Sequence, residues 1–178
     1  MTHQSRGAFF VLTEPGRYDL IRGELIALPP ASEQLGATAA NIAGHLWQHV
    51  RSHRLGRVYT AETGFVLARD PDVVLVPDVA FVRADRLPPD EMRSRFYEGP
   101  PDLAIEVISP SERTTQTQQK VLEYLRAGTQ LVWVVDPPRR TVTVYHPDHS
   151  ARILRIDDEL DGGEVLPGLR ISVAEIFA

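Results

Sequence analysis

The stretch Pro101–Gly128, "PDLAIEVISPSERTTQTQQKVLEYLRAG", decides how the rest of the chain is read. Its first part, Leu103 to Ile108, is almost wholly apolar and reads as a strand. Glu106 stands in the middle of it. Alternate side chains of a strand share a face, so Leu103, Ile105 and Val107 point one way, and Ala104, Glu106 and Ile108 the other. An ionised carboxylate in such surroundings needs a partner, a metal ion or a raised pKa. A salt bridge or a water-exposed edge strand is the plain alternative. Ser109-Pro110-Ser111-Glu112 then resembles a helix start, with a serine cap, a proline in the first turn and an acid three residues on. The helix is expected to end at Gly128.

Strand, turn and helix are followed by "LVWVV", Leu131 to Val135, a continuous apolar run suited to a central strand covered on both faces. Upstream, "RYDLIRGELIAL" reads as a hairpin turning at Arg22-Gly23, with Glu24 opening its second strand. Between Gly36 and Arg54 the apolar positions Ala39, Ile42, Ala43, Leu46 and Val50 recur at helical spacing, with Gly56 as the stop. "RVYTAETGFVLA" offers a strand or hairpin. "DVVLVPDVAFV" offers an extended pair with a bend at Pro77. "RADRLPPDEMRSRFYEGPP" reads as a surface loop with some helix. "RTVTVYH" and "ARILRI" form a hairpin around "PDHS", "LDGGE" a turn, and "SVAEIF" a closing helix. No repeat or linker interrupts this order. The expectation is one α/β domain over residues 1–178, built on a mixed sheet.

Composition narrows the function. The chain has 178 residues, 43% hydrophobic and 24% charged, enough for one sizeable core. It has no cysteine, which excludes disulfides and thiolate chemistry and fits a reducing cytoplasm. No run approaches the roughly 20 apolar residues of a membrane helix, and the first residues do not form a secretory signal. A net charge of −5 argues against broad, non-specific nucleic-acid binding, though not against a local basic groove. Arginines do cluster, at Arg51, Arg54 and Arg57 and at Arg83, Arg86, Arg93 and Arg95. Each cluster alone reads as a solvated surface.

A second acid, Asp78, also adjoins an apolar strand, "VAFV". Two carboxylates on neighbouring strands can hold one hard divalent cation, the remaining ligands being water and phosphate. Asp102 cannot share that ion, since four residues along a strand span roughly 13 Å at about 3.3 Å per residue. It reads as a cap at the start of the strand. On the helix, Lys120 and Tyr124 share a face with Gln116, while Val121 and Leu125 mark the core side. A helix folded back over the strand would bring Lys120 to the acids, where it could orient water or stabilise phosphate charge. By itself Lys120 reads as a surface residue.

The ordered set "VPDVAFV", "PDLAIEVISPS", Lys120, Tyr124, "WVVDP" and "LDGGEVLPGLRISVAEIF" resembles the Uma family of putative restriction endonucleases, in the PD-(D/E)xK nuclease superfamily. The resemblance runs from "RYDLIRGELIAL" onward. It implies a restriction-endonuclease-like mixed β-sheet flanked by helices, with extra N- and C-terminal hairpins. Asp78 would be the acid of the "PD" element and Glu106 that of the "ExK" element, with the Val107 carbonyl a further ligand. Ile108 stands at the classical lysine position, and Lys120 would be the migrated lysine, supported by Tyr124. Glu24 would match the family's early "GE" glutamate and hold the metal through water. Many relatives carry a histidine where Leu35 stands and an acid where Gln116 stands. The implied activity is a cytoplasmic endonuclease that hydrolyses DNA with Mg²⁺ or Mn²⁺, with a homodimer or larger homo-oligomer left open. The alternatives are a non-catalytic nucleic-acid-binding or assembly module, or a nuclease acting on RNA or branched DNA.

Two further features carry less. His45, His49 and His53 form one stripe on the first long helix, but "HLWQH" lacks a metalloprotease glutamate, so a solvated or interface stripe is preferred. Trp47 and Trp133 are both expected in the core.

Overall fold

The computed structural model describes residues 17–28, 30–89, 96–109 and 114–178. Arg93, Arg95 and the expected helix-start residues Pro110, Ser111 and Glu112 lie outside them.

The chain runs β1 (Arg17–Ile21), β2 (Glu24–Leu28), α1 (Glu33–His53), β3 (Gly56–Thr60), β4 (Phe65–Ala68), β5 (Val73–Leu75), β6 (Val79–Arg83) and β7 (Tyr97–Glu98). It continues β8 (Leu103–Val107), α2 (Thr114–Ala127), β9 (Leu131–Asp136), β10 (Thr141–Tyr145), β11 (Ala151–Leu154), β12 (Glu159–Asp161), β13 (Arg170–Ser172) and α3 (Val173–Ile176). A short 3₁₀ turn at Ala84–Arg86 follows β6.

Two larger sheets replace the one expected. A six-stranded sheet runs β11-β10-β9-β8-β6-β3, a five-stranded sheet runs β2-β1-β5-β4-β7, and β12 and β13 form a separate pair. "RVYTAETGFVLA" is therefore not a hairpin, because β3 pairs with β6 while β4 pairs with β5 and β7. "DVVLVPDVAFV" is likewise divided between the sheets. The chain crosses from one sheet to the other between Leu75 and Val79, and Asp78 lies on that crossing.

β8 and β9 are parallel, with Glu106 opposite Val134. Parallel neighbours need a long crossover, and α2 supplies it. It ends at Gly128, whose φ of 104° a residue with a side chain would rarely adopt. α1 begins earlier than its apolar spacing indicated. Ser32 accepts a hydrogen bond from the Leu35 amide, and the helix stops at Arg54, in left-handed geometry, before Gly56 is reached.

α1 covers the face of the six-stranded sheet that carries Val79, Phe81, Leu103, Ile105, Val107 and Trp133. The carboxy-terminal segment closes the same core with Leu160, Leu166, Ile171 and Ile176. On the opposite face, Val121 and Tyr124 of α2 pack with Ala104, Val132 and Val134, and with Ile21, Val73 and Leu75 of the other sheet. Trp133 is fully buried, as expected, whereas Trp47 is 56% exposed. The buried stripe of α1 is Ile42, Leu46 and Val50, and position 47 is turned about 100° from Leu46 on a helix of 3.6 residues per turn.

Candidate active site

Glu106 is 3% exposed, so the anomaly in the sequence is a real burial. Lys120 and Tyr124, one turn apart on α2, both reach it. The Lys120 ammonium donates to Oε2, and the Tyr124 hydroxyl donates to Oε1 at 2.7 Å. Tyr124 thus holds Glu106 directly, where the resemblance had it supporting Lys120. Lys120 is itself 4% exposed, so it is no surface lysine.

Asp78 approaches from the crossing segment, one residue before β6. The antiparallel register sets Val79 against Ile105, which brings the residue before Val79 alongside the residue after Ile105. The Val107 amide donates to Asp78 Oδ2 at 2.8 Å, so this carboxylate is fixed to the peptide that follows Glu106. Its Oδ1 lies 3.6 Å from the Arg17 guanidinium.

A third acid joins them that sequence reasoning missed. Asp19, in β1, is 1% exposed. Its Oδ1 accepts from the Val76 amide at 2.8 Å, which ties the hairpin to the crossing segment. Its Oδ2 is buried without a hydrogen-bond donor among the described residues, although Lys120 Nζ is 3.2 Å away. We read that contact as an ion pair without a well-formed hydrogen bond. Its strand, "RYDLI", opens on polar residues, so Asp19 does not stand out there as Glu106 does in "LAIEV". The resemblance points instead to Glu24, which the structure does not bring to the cluster. It is exposed, at the turn end of β2 opposite Ile21.

The cluster lies in a cleft of ≈ 650 Å³ lined also by Leu35, Val107, Ser109 and Gln116. Leu35 and Gln116 thus occupy the cleft wall. Ile108 packs with the apolar core beside α2. Among the described residues of the cleft, three carboxylates face two cations, Lys120 and Arg17. Burial pushes the Glu106 carboxyl up to about 8, Lys120 opposing the rise and Asp78 and Asp19 adding to it. Burial, with Glu106 and Asp19 nearby, also raises the Tyr124 hydroxyl well above its ordinary value, so it remains a proton donor.

The other candidates have structural positions. Asp102 accepts from the Arg83 amide and from Arg86 Nη1, both at 2.8 Å, and so fixes the start of β8 to the end of β6. His49 is hydrogen-bonded to the Pro167 carbonyl and His53 to the His49 carbonyl. No group of three or more acids, histidines or cysteines among the described residues forms a ready-made coordination shell. No helix among them is long and apolar enough to cross a membrane.

The mixed sheets flanked by helices, with buried acids and a lysine in a cleft, define a nuclease-like α/β fold. The chain matches the crystal structure of "a putative nuclease belonging to DUF820" from Anabaena variabilis ATCC 29413 with a TM-score of 0.84. The two are 23% identical, over 95% of this chain and 94% of that one. The family model described as "Uma2: Putative restriction endonuclease" matches residues 8–174, and the chain belongs to that family. No curated protein matches it.

Proposed function

We propose that the protein is a metal-dependent phosphodiesterase that cleaves DNA internally. The observation that carries this reading is the convergence of Asp19, Asp78, Glu106 and Lys120 on one cleft. The donor set suits Mg²⁺ or Mn²⁺. It is all oxygen, Asp19 Oδ2 is buried without a hydrogen-bond donor among the described residues, and burial raises the Glu106 carboxyl, a shift that a bound cation would offset. Asp78 and Glu106 would hold the ion, with Asp19 and the Val107 carbonyl as further oxygens. When bound, such an ion supplies Lewis acidity to the phosphate and makes water a better nucleophile at neutral pH.

The chain's own groups do the remaining work. Lys120 Nζ, held by two carboxylates, is pre-aimed and can orient the attacking water or donate to a phosphate oxygen. Tyr124 keeps Glu106 turned toward the cleft. Arg17, partly exposed at the cleft, can receive a phosphate oxygen. In hydrolysis the water oxygen bonds to phosphorus, the bond to the leaving sugar oxygen breaks, and that oxygen gains a proton.

The test is cleavage of supercoiled plasmid, linear duplex, branched DNA and RNA in Mn²⁺ and in EDTA, with Asp78→Asn as control. The reading predicts metal-dependent cleavage of DNA, lost in the variant. Cleavage of RNA or branched DNA alone would move the substrate, and no cleavage of any would leave a non-catalytic module.

A further inference from the structure

At the carboxy-terminal end of α1, away from the acidic cleft, Trp47, Arg51 and Arg54 face Arg57 of β3 across a groove of ≈ 380 Å³. We propose that this groove binds a polynucleotide strand, its phosphates on the three arginines and an unpaired base stacked at Trp47.

The charge argument comes first. Among the described residues, no acid lines the groove and none of the three arginines pairs with a carboxylate. Asp85, next to Ala84 of the groove wall, is taken up by Arg83 at 3.5 Å. On a chain of net charge −5, three guanidinium groups without acids are a local reversal of sign that fits a polyanion.

The tryptophan supplies the second argument. The Trp47 indole is 56% exposed, so a ring face is open to a stacking ligand. The Arg51 guanidinium lies 4.9 Å from its ring centroid, so one stacking partner is in place and a base can extend the stack. Apolar stacking beside unpaired arginines is the combination single strands require.

Placement supports the same occupant. β6 begins just after Asp78 and ends at Arg83, beside Ala84 of the groove. At about 3.3 Å per residue along β6, the cleft and groove are roughly 15–20 Å apart, a distance that a strand of a few nucleotides would span. The inference goes beyond the nuclease reading and does not need cleavage to occur.

It is tested by fluorescence anisotropy of a labelled single strand of about 20 nucleotides, in EDTA, across a salt series. The combined variant Arg51→Gln/Arg54→Gln/Arg57→Gln should bind at least about tenfold more weakly, with a salt slope smaller by about 2. Trp47→Ala should weaken binding at least about fivefold. Replacing all three arginines by lysine, which keeps the charges, should restore most of the affinity. Because all four side chains are at least partly exposed, unchanged melting curves are expected. Parent-like affinity and salt slope in the glutamine variant would overturn the proposal. So would a parent dimer that becomes monomeric in that variant while DNA binding persists, since the groove would then be occupied by a second copy. Absence of metal-dependent cleavage, with these binding differences intact, would sink the nuclease reading and leave the groove standing.

Discussion

Glu106 is a carboxylate that its surroundings push toward the neutral form. Its folded-state value of about 8 lies above the ordinary 4.5, so between those limits the native protein holds a proton that the unfolded chain has released. Stability therefore falls as pH rises through that window in metal-free protein, and it is fully present below it. Thermal melts in EDTA should show this decline. Glu106→Gln should remove it, since the amide can accept from Lys120 and donate to the Tyr124 hydroxyl oxygen. At pH 8 the variant should melt at or above the parent, and it should not cleave. A parent melting curve that rises across this window would contradict the charge argument. Lys120→Met keeps the stem and loses the charge. Stranding a buried charge commonly costs about 3–5 kcal/mol, and here about 2–3 kcal/mol is expected because Glu106 can protonate. Turnover should drop by orders of magnitude while Mn²⁺ still binds. Parent-like turnover would remove Lys120 from the chemistry.

At the scale of elements, the β1–β2 hairpin sorts two acids by geometry. Asp19 enters the cleft from β1, whereas Glu24 stands exposed at the turn end of β2. Asp19→Asn should thus reduce cleavage far more than Glu24→Gln, and equal losses would put the outer strand back in the site. Strand β3 meets β6 so closely that a Cβ on Gly56 would lie 2.0 Å from the Val82 carbonyl oxygen. Gly56→Ala should cost about 3 kcal/mol in a denaturant melt, since a paired backbone cannot yield as a side chain can. Elements were mostly legible in the sequence, because period, caps and turns act locally. The hairpin at Arg22-Gly23, the buried run "LVWVV" and the stop at Gly128 are such cases. The partition of strands between sheets was not legible. Nothing local in "VVLVPDVAFV" says that β5 and β6 pair with different neighbours.

For the whole molecule, that partition makes the cleft. The crossing between sheets carries Asp78, β8 carries Glu106, the second sheet brings Asp19, and α2 brings Lys120 over both. Asp78, Glu106 and Lys120 could be picked out in the sequence because each breaks a pattern or matches a motif. Asp19 escaped because its role depends on where the hairpin docks, a long-range fact fixed by the pairing of β1 with β5. Trp47 escaped for a simpler reason, since a tryptophan on an amphipathic helix defaults to the core unless its angular offset from the stripe is counted.

On the proposed function, these acids share one divalent cation. Crystals soaked in Mn²⁺ and measured at the manganese absorption edge test it most directly. One anomalous peak is expected in the cleft, about 2–2.6 Å from carboxylate oxygens of both Asp78 and Glu106. A cleft without a peak at saturating Mn²⁺, or a peak that touches neither residue, would contradict it.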